Sequence, residues 1–179
     1  LATGQNPEVL LLTCSDSRIV PNLIMQSEPG DLFIIRNAGN IVPSYGEMNG
    51  GVSATIEYAM LALKIPHIVV CGHTDCGAMK AVVHPELVQS MPNVAAWLRH
   101  ADVVRQIVQQ EHSHSSEHDR LRAAIDENVI AQLENLRTHP SVAARLRRNE
   151  VTLHGWVYDI AEGLVTAYNP ETRAFEPLR

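Results

Sequence analysis

The sequence predicts one α/β domain built on a mainly parallel sheet. Three observations carry this. Two short runs rich in branched aliphatics, Glu8-Val9-Leu10-Leu11-Leu12-Thr13 and His67-Ile68-Val69-Val70-Cys71-Gly72, are bounded by Pro or Gly and read as buried strands. Between them, residues 51–64 set Val52, Ile56, Ala59, Met60 and Leu63 at the three-to-four spacing of an amphipathic helix. Strand, helix, strand in that order marks a parallel sheet with a helical crossover. At 179 residues and 45% hydrophobic content the chain can fill one sizeable core and is too short for two comfortable domains.

The remaining elements follow in order. Residues 21–26 read as a short helix with Pro21 at its start. Pro29-Gly30 turns the chain into a second strand over 31–36, closed by the loop Asn37-Ala38-Gly39-Asn40. After the strand at 67–72, a helix is expected to begin at Thr74 or Asp75, either of which can cap free amides, so that Cys76 and Gly77 fall in its first turn. A long helix is predicted over 93–110, then a polar His-rich stretch, then a helix over about 117–137. Thr138-His139-Pro140 breaks it, and Pro140 opens a short helix ending near Asn149. Residues 151–160 and 164–168, joined by Ala161-Glu162-Gly163, read as a hairpin at the sheet edge.

Charge and composition exclude several functions. A formal charge of -6 offers no basic footprint, which argues against nucleic acid or an anionic membrane as partner. No run approaches the roughly 18 apolar residues that span a bilayer, and no charged-then-apolar leader opens the chain. Because position 1 is Leu, an amino-terminal segment is expected to precede this sequence. Three cysteines make a disulfide framework a poor reading and point to a reducing, cytoplasmic compartment. Nothing matches the Gly-rich dinucleotide fingerprint or the phosphate loop.

The chemistry concentrates in two segments. Cys14-Ser15-Asp16-Ser17-Arg18 and His73-Thr74-Asp75-Cys76-Gly77 supply two thiolates and one imidazole, three corners of a tetrahedral zinc site. The fourth corner falls to water, a carboxylate or substrate, and that openness separates catalytic from structural zinc. Each segment follows a strand, and the carboxyl ends of neighbouring parallel strands converge on one crevice. Asp16 has two plausible jobs: fourth zinc ligand, or partner of Arg18 that accepts a hydrogen bond from zinc-bound water. A plain surface ion pair, worth ~0–1 kcal/mol, is the bland alternative. The bidentate fork of Arg18 can hold a carboxylate in one orientation, which favours reading it as the group that keeps Asp16 off the metal. Two thiolates cancel the charge of Zn2+, so its water needs help to ionise; Asp16 and helix-end amides are the available sources.

Other polar residues carry less. Cys71 ends an apolar strand and reads as a small buried hydrophobe. His112, His114 and His118 sit among Ser and Glu and read as a solvated loop or helix start rather than a second metal site. The loop at 37–40 is either a tight turn or a backbone cradle for a ligand.

The motifs CSDSR at 14–18, RNAGN at 36–40, GHTDCGA at 72–78 and HGWVYDI at 154–160 together resemble the β-class carbonic anhydrases, in order and over essentially the whole chain, closest to bacterial forms associated with cyanase or found in cyanobacteria. The resemblance implies one Zn2+ per subunit on Cys14, His73 and Cys76, with Asp16 and Arg18 as the catalytic dyad and Asp16 as fourth ligand only in a closed state. It implies reversible hydration of CO2 to bicarbonate and a proton by zinc-bound hydroxide. The substrate pocket it implies comprises Gln5, Phe33, Ala38, Tyr58 and the Gly77 amide, completed across the interface of a homodimer or higher homo-oligomer. Ala38 departs from the Val of plant-type members. It further implies four parallel strands with an antiparallel edge strand flanked by helices, and an amino-terminal helical arm that is expected to be missing from this sequence. Members with an inhibitory bicarbonate pocket carry Trp where this chain has Leu11, so that pocket is not expected. Association with a carboxysome is a further expectation. Two other readings keep the fold: hydrolysis of carbon disulfide or carbonyl sulfide, and a non-catalytic zinc scaffold in which Asp16 stays on the metal.

Overall fold

The computed structural model describes residues 1–47 and 50–178. The first half alternates as expected: β1 (Val9–Cys14), α1 (Pro21–Met25), β2 (Leu32–Asn37), α2 (Gly51–Leu61) and β3 (His67–His73). There follow α3 (Gly77–Val83), α4 (Pro92–Leu98), α5 (Asp102–Glu111), α6 (Glu117–Thr138) and α7 (Pro140–Arg147), and then β4 (Thr152–Tyr158), β5 (Val165–Asn169) and β6 (Ala174–Pro177). The sheet order is β2-β1-β3-β4-β5-β6. The first four strands are parallel, and β5 and β6 add antiparallel pairings. The expected edge strand is thus joined by a second. Only Phe175 of β6 is half-buried, against Tyr168, and Pro177 is tolerated because the strand is an edge.

Alternation along the strands gives the sheet two apolar faces. Leu10, Leu12, Ile68 and Val70, all fully buried, face the main core with Ile56 and Met60 of α2, Met79 of α3, Val104 of α5 and Leu136 of α6. Leu11, Val69 and Cys71 form a smaller cluster on the other face, against Met25, Trp156 and Tyr158. Val52 and Leu63 pack against the main core as the helical spacing predicted, although Leu63 lies just past the end of α2.

α6 is 22 residues long, about 33 Å, and it lies hard against the sheet. A Cβ added at Gly155 would stand 2.8 Å from Val129 Cγ1, and one at Gly72 would stand 3.0 Å from Val129 Cγ2, so glycine in β3 and β4 is what lets this helix approach. Ser116 caps it by accepting the Asp119 amide at 3.2 Å. Buried Arg145 of α7 donates to the carbonyls of Ile65, Lys64 and Glu150 at 2.9, 3.0 and 2.8 Å, which ties α7 to the chain leading into β3.

Two helix expectations need correction. The long helix over 93–110 is broken by a 3-10 turn at Arg99–Ala101. Leu98, Ala101 and Val104 are three apart and all buried; a turn of three residues keeps them on one face where a continuous α-helix would rotate them apart. α3 starts at Gly77, not at Thr74 or Asp75. Asp75 is in the left-handed region (φ 59), and Thr74 Oγ1 instead accepts the Ile160 amide at 3.0 Å. No described helix is long and apolar enough to cross a membrane.

Candidate metal centre

The strand order reverses direction between β1 and β3: the chain steps to β2 on one side and returns to β3 on the other. Such a switch point opens a crevice at the carboxyl ends of the strands. Cys14 is the last residue of β1 and His73 the last of β3. Cys76 is the N-cap of α3, three residues further on. Their ligand atoms lie within 4.8 Å of one another, and all three residues are buried.

The donors fit a metal chemically. His73 Nδ1 donates to the Thr74 carbonyl at 2.9 Å, which leaves the lone pair on Nε2. That Nε2 is buried with no hydrogen-bond partner among the described residues, a costly arrangement unless something binds it. Two sulfurs and one such nitrogen are the donor set of zinc, whose bonds run about 2.0–2.3 Å. The Cys76 thiol stabilises the Cys14 thiolate, which brings Cys14 down to about 4 against the opposing effect of burial. The same interaction, together with burial, pushes Cys76 up. Backbone amides favour the ionised form of both: those of Gly39 and Asp16 act on Cys14, those of Met79 and Ala78 on Cys76. Burial would lower the pKa of His73, but the Cys14 sulfur, the Thr74 carbonyl and the Asp16 carboxylate raise it on balance.

Above the cluster sits a charged pair. Arg18 Nε and Nη2 donate to the two carboxylate oxygens of Asp16 at 2.9 and 2.8 Å, and the Arg18 amide adds a third bond at 2.9 Å. These donors hold the Asp16 carboxyl well below the usual carboxylate range despite some desolvation. Asp16 Oδ2 is nonetheless only 3.9 Å from His73 Nε2. The free arm of Arg18, Nη1, donates to Asp75 at 2.9 Å, and Asp75 also pairs with Lys80. Arg36 fixes the loop beneath, donating to the carbonyls of Cys14 at 3.0 Å and Asp16 at 2.7 Å.

The family model described as carbonic anhydrase matches residues 9–165. The chain belongs to the β-carbonic anhydrase family. A carbonic anhydrase of Pseudomonas aeruginosa is 53% identical over 178 residues, covering 99% of this chain and 80% of that protein. Among solved structures, the β-carbonic anhydrase CcaA superposes with a TM-score of 0.97 at 48% identity, covering 99% of this chain and 86% of the other. One of two tetrameric β-carbonic anhydrases of Sordaria macrospora gives 0.83 at 31% identity over 93% of this chain and 82% of the other.

The structure brings some of the expected β-carbonic anhydrase residues together and separates others. Cys14, His73, Cys76, Asp16 and Arg18 form one cluster. Ala38 precedes the buried Gly39 that packs on α3, and Gly77 begins that helix beside Cys76. Phe33 pairs with Leu10, four positions before Cys14, and so lies about 13 Å down the strand. It stacks instead near Tyr58, with ring centroids 6.1 Å apart, and Tyr58 is half-exposed. Gln5 lies in the segment ahead of β1, which docks at the opposite end of the sheet through Glu8 and Asp31. Cys71 is buried as expected, and burial pushes its thiol up to about 12. Sequence reasoning missed Asp75, Arg36, Trp97 and Asn128. The first two lie inside motifs already quoted; Trp97 and Asn128 bond to Ala38 and Gly39 across 59 and 89 residues, and nothing local announces it.

Proposed function

We propose that this chain catalyses the reversible hydration of CO2 at a zinc ion held by Cys14, His73 and Cys76, one ion per subunit, within a single domain. The observation that carries the reading is a buried Cys-His-Cys cluster with Asp16 3.9 Å from His73 Nε2 yet committed to Arg18. Zinc would supply a Lewis acid able to activate water near neutral pH. The chain's own residues do the rest. His73, fixed through Nδ1, keeps its Nε2 aimed at the cluster. Asp16 accepts a hydrogen bond from the attacking water and so aims its lone pair at CO2, while the Arg18 fork keeps the carboxylate off the fourth corner. Amides of Gly39, Asp16, Ala78 and Met79 draw charge from the two sulfurs, the compensation a two-thiolate site requires. A closed state needs only that Asp16 leave Arg18 and turn toward the cluster.

The substrate pocket is read as shared between copies. Ala38 and the Gly77 amide flank the cluster, whereas the positions of Gln5, Phe33 and Tyr58 suit a pocket in a second subunit. The tetrameric relatives support a homo-oligomer. Carbon disulfide or carbonyl sulfide hydrolysis, a scaffold role and a carboxysomal location draw no support from the relatives. The test is stopped-flow CO2 hydration across pH on zinc-loaded protein beside Cys76→Ala. Hydration that tracks zinc content and vanishes with the metal in Cys76→Ala is expected; full turnover in metal-depleted protein overturns the reading.

A further inference from the structure

The two peptides that flank Gly39 are each fixed by a residue far away in sequence, Ala38–Gly39 by Trp97 and Gly39–Asn40 by Asn128. Trp97 Nε1, on α4, donates to the Ala38 carbonyl at 2.8 Å. Asn128 Nδ2, buried on α6, donates to the Gly39 carbonyl at 2.9 Å and is itself oriented by Gln132 Nε2, 2.9 Å from its own oxygen. Asn37 closes the loop locally, donating to the Ile41 carbonyl at 2.9 Å and accepting the Ile41 amide at 2.8 Å. No described peptide is cis, so the Gly39 N–H points opposite to the Ala38 carbonyl. Tying that carbonyl to Trp97 therefore turns the N–H away from α4. Gly39 itself has φ +82, and a Cβ there would meet Ala78 Cβ at 3.0 Å and Met79 Cε at 3.1 Å, so its backbone abuts the turn that carries Cys76. Glycine is free to let such a peptide flip; the two anchors remove that freedom.

We propose that Trp97 and Asn128 are positioning residues that lock the 38–40 backbone with the Gly39 N–H on the Cys14 sulfur, and so set how strongly that sulfur donates to a bound metal. The inference rests on Cys14, His73 and Cys76 being the metal ligands. An amide that donates to a thiolate draws electron density from it; Trp97, on the carbonyl of the same peptide, strengthens that amide, and Asn128, on the next peptide, holds Gly39 in place beside it. The Gly39 amide is among the groups that favour the ionised Cys14, in agreement with this placement.

The test uses cobalt in place of zinc, because the sulfur-to-cobalt charge-transfer band reports on the sulfur directly. In Trp97→Phe and Asn128→Leu the band is expected to move to longer wavelength, and kcat of the zinc-loaded forms to fall about 10-fold with KM unchanged. Thr138→Val is the control: Thr138 Oγ1 accepts the Tyr45 amide at 2.9 Å at the far end of the same loop. It is expected to lower Tm and leave the band in place. The two anchors stand on different helices, so either folded variant suffices. A wild-type band position in a folded variant overturns the inference, as does an equal shift in Thr138→Val. Wild-type protein with no sulfur-to-cobalt band overturns the metal-site reading itself, a separate outcome.

Discussion

Gly39→Ala should be costly for two reasons that can be separated. At φ +82 the backbone is in the left-handed region, where an L side chain costs about 1–2 kcal/mol. The new methyl would also stand 3.0 Å from Ala78 Cβ and 3.1 Å from Met79 Cε, crowding that adds about 1–3 kcal/mol in a packed interior. The expected loss is about 2–5 kcal/mol, or roughly 4–20 °C in Tm for a chain of this size. Gly163→Ala serves as the reference. Its φ is +69 but nothing lies within 4 Å of the added carbon, so only the strain applies, about 1–2 kcal/mol. Urea unfolding of both variants, metal-free, gives the difference. Equal losses would refute the claim that the Gly39 loop is pressed against the helix carrying Cys76.

Asp16→Asn and Arg18→Ala should each retain zinc by metal analysis and lose CO2 hydration by at least ~100-fold, the scale of misplacing a reacting group; near-normal turnover in both refutes the dyad. The Arg18 donors lower the Asp16 pKa, so the pairing contributes above the unfolded carboxylate value and is lost only as pH falls toward the depressed folded value. An NMR carboxyl titration of Asp16 centred in the ordinary range would contradict this. In metal-free protein near pH 7, Cys14, whose thiolate is favoured by the neighbouring Cys76 thiol, should alkylate before Cys71, whose thiol burial pushes up to about 12. Mass mapping of a partial iodoacetamide reaction checks the order.

Most of the centre was legible because its pieces are local. Cys14, Asp16 and Arg18 share one turn, and His73 and Cys76 another; each turn ends a strand whose aliphatic run is unmistakable. The parallel order then brings the two together without further information. What was not legible is held by long-range contacts. The break after Leu98 comes from the need to bury Leu98, Ala101 and Val104 together, which a helical pattern alone does not reveal. The start of α3 shifted because Thr74 and Asp75, good caps by type, are drawn away to Ile160 and Arg18. β6 escaped notice because one half-buried Phe among charged residues is a faint strand signal. Trp97 and Asn128 are invisible in the same way: their importance lies in which carbonyls they meet.

Because Cys14 and His73 end strands deep in the sheet and Cys76 caps a helix packed on the core, the proposed cage should not depend on an ion for its shape. Zinc fingers assemble around their metal and collapse without it. Here the scaffold keeps its shape through some thirty aliphatic side chains, so stripping the ion by chelation should silence the molecule while leaving it folded, and re-adding it should restore function without a refolding step.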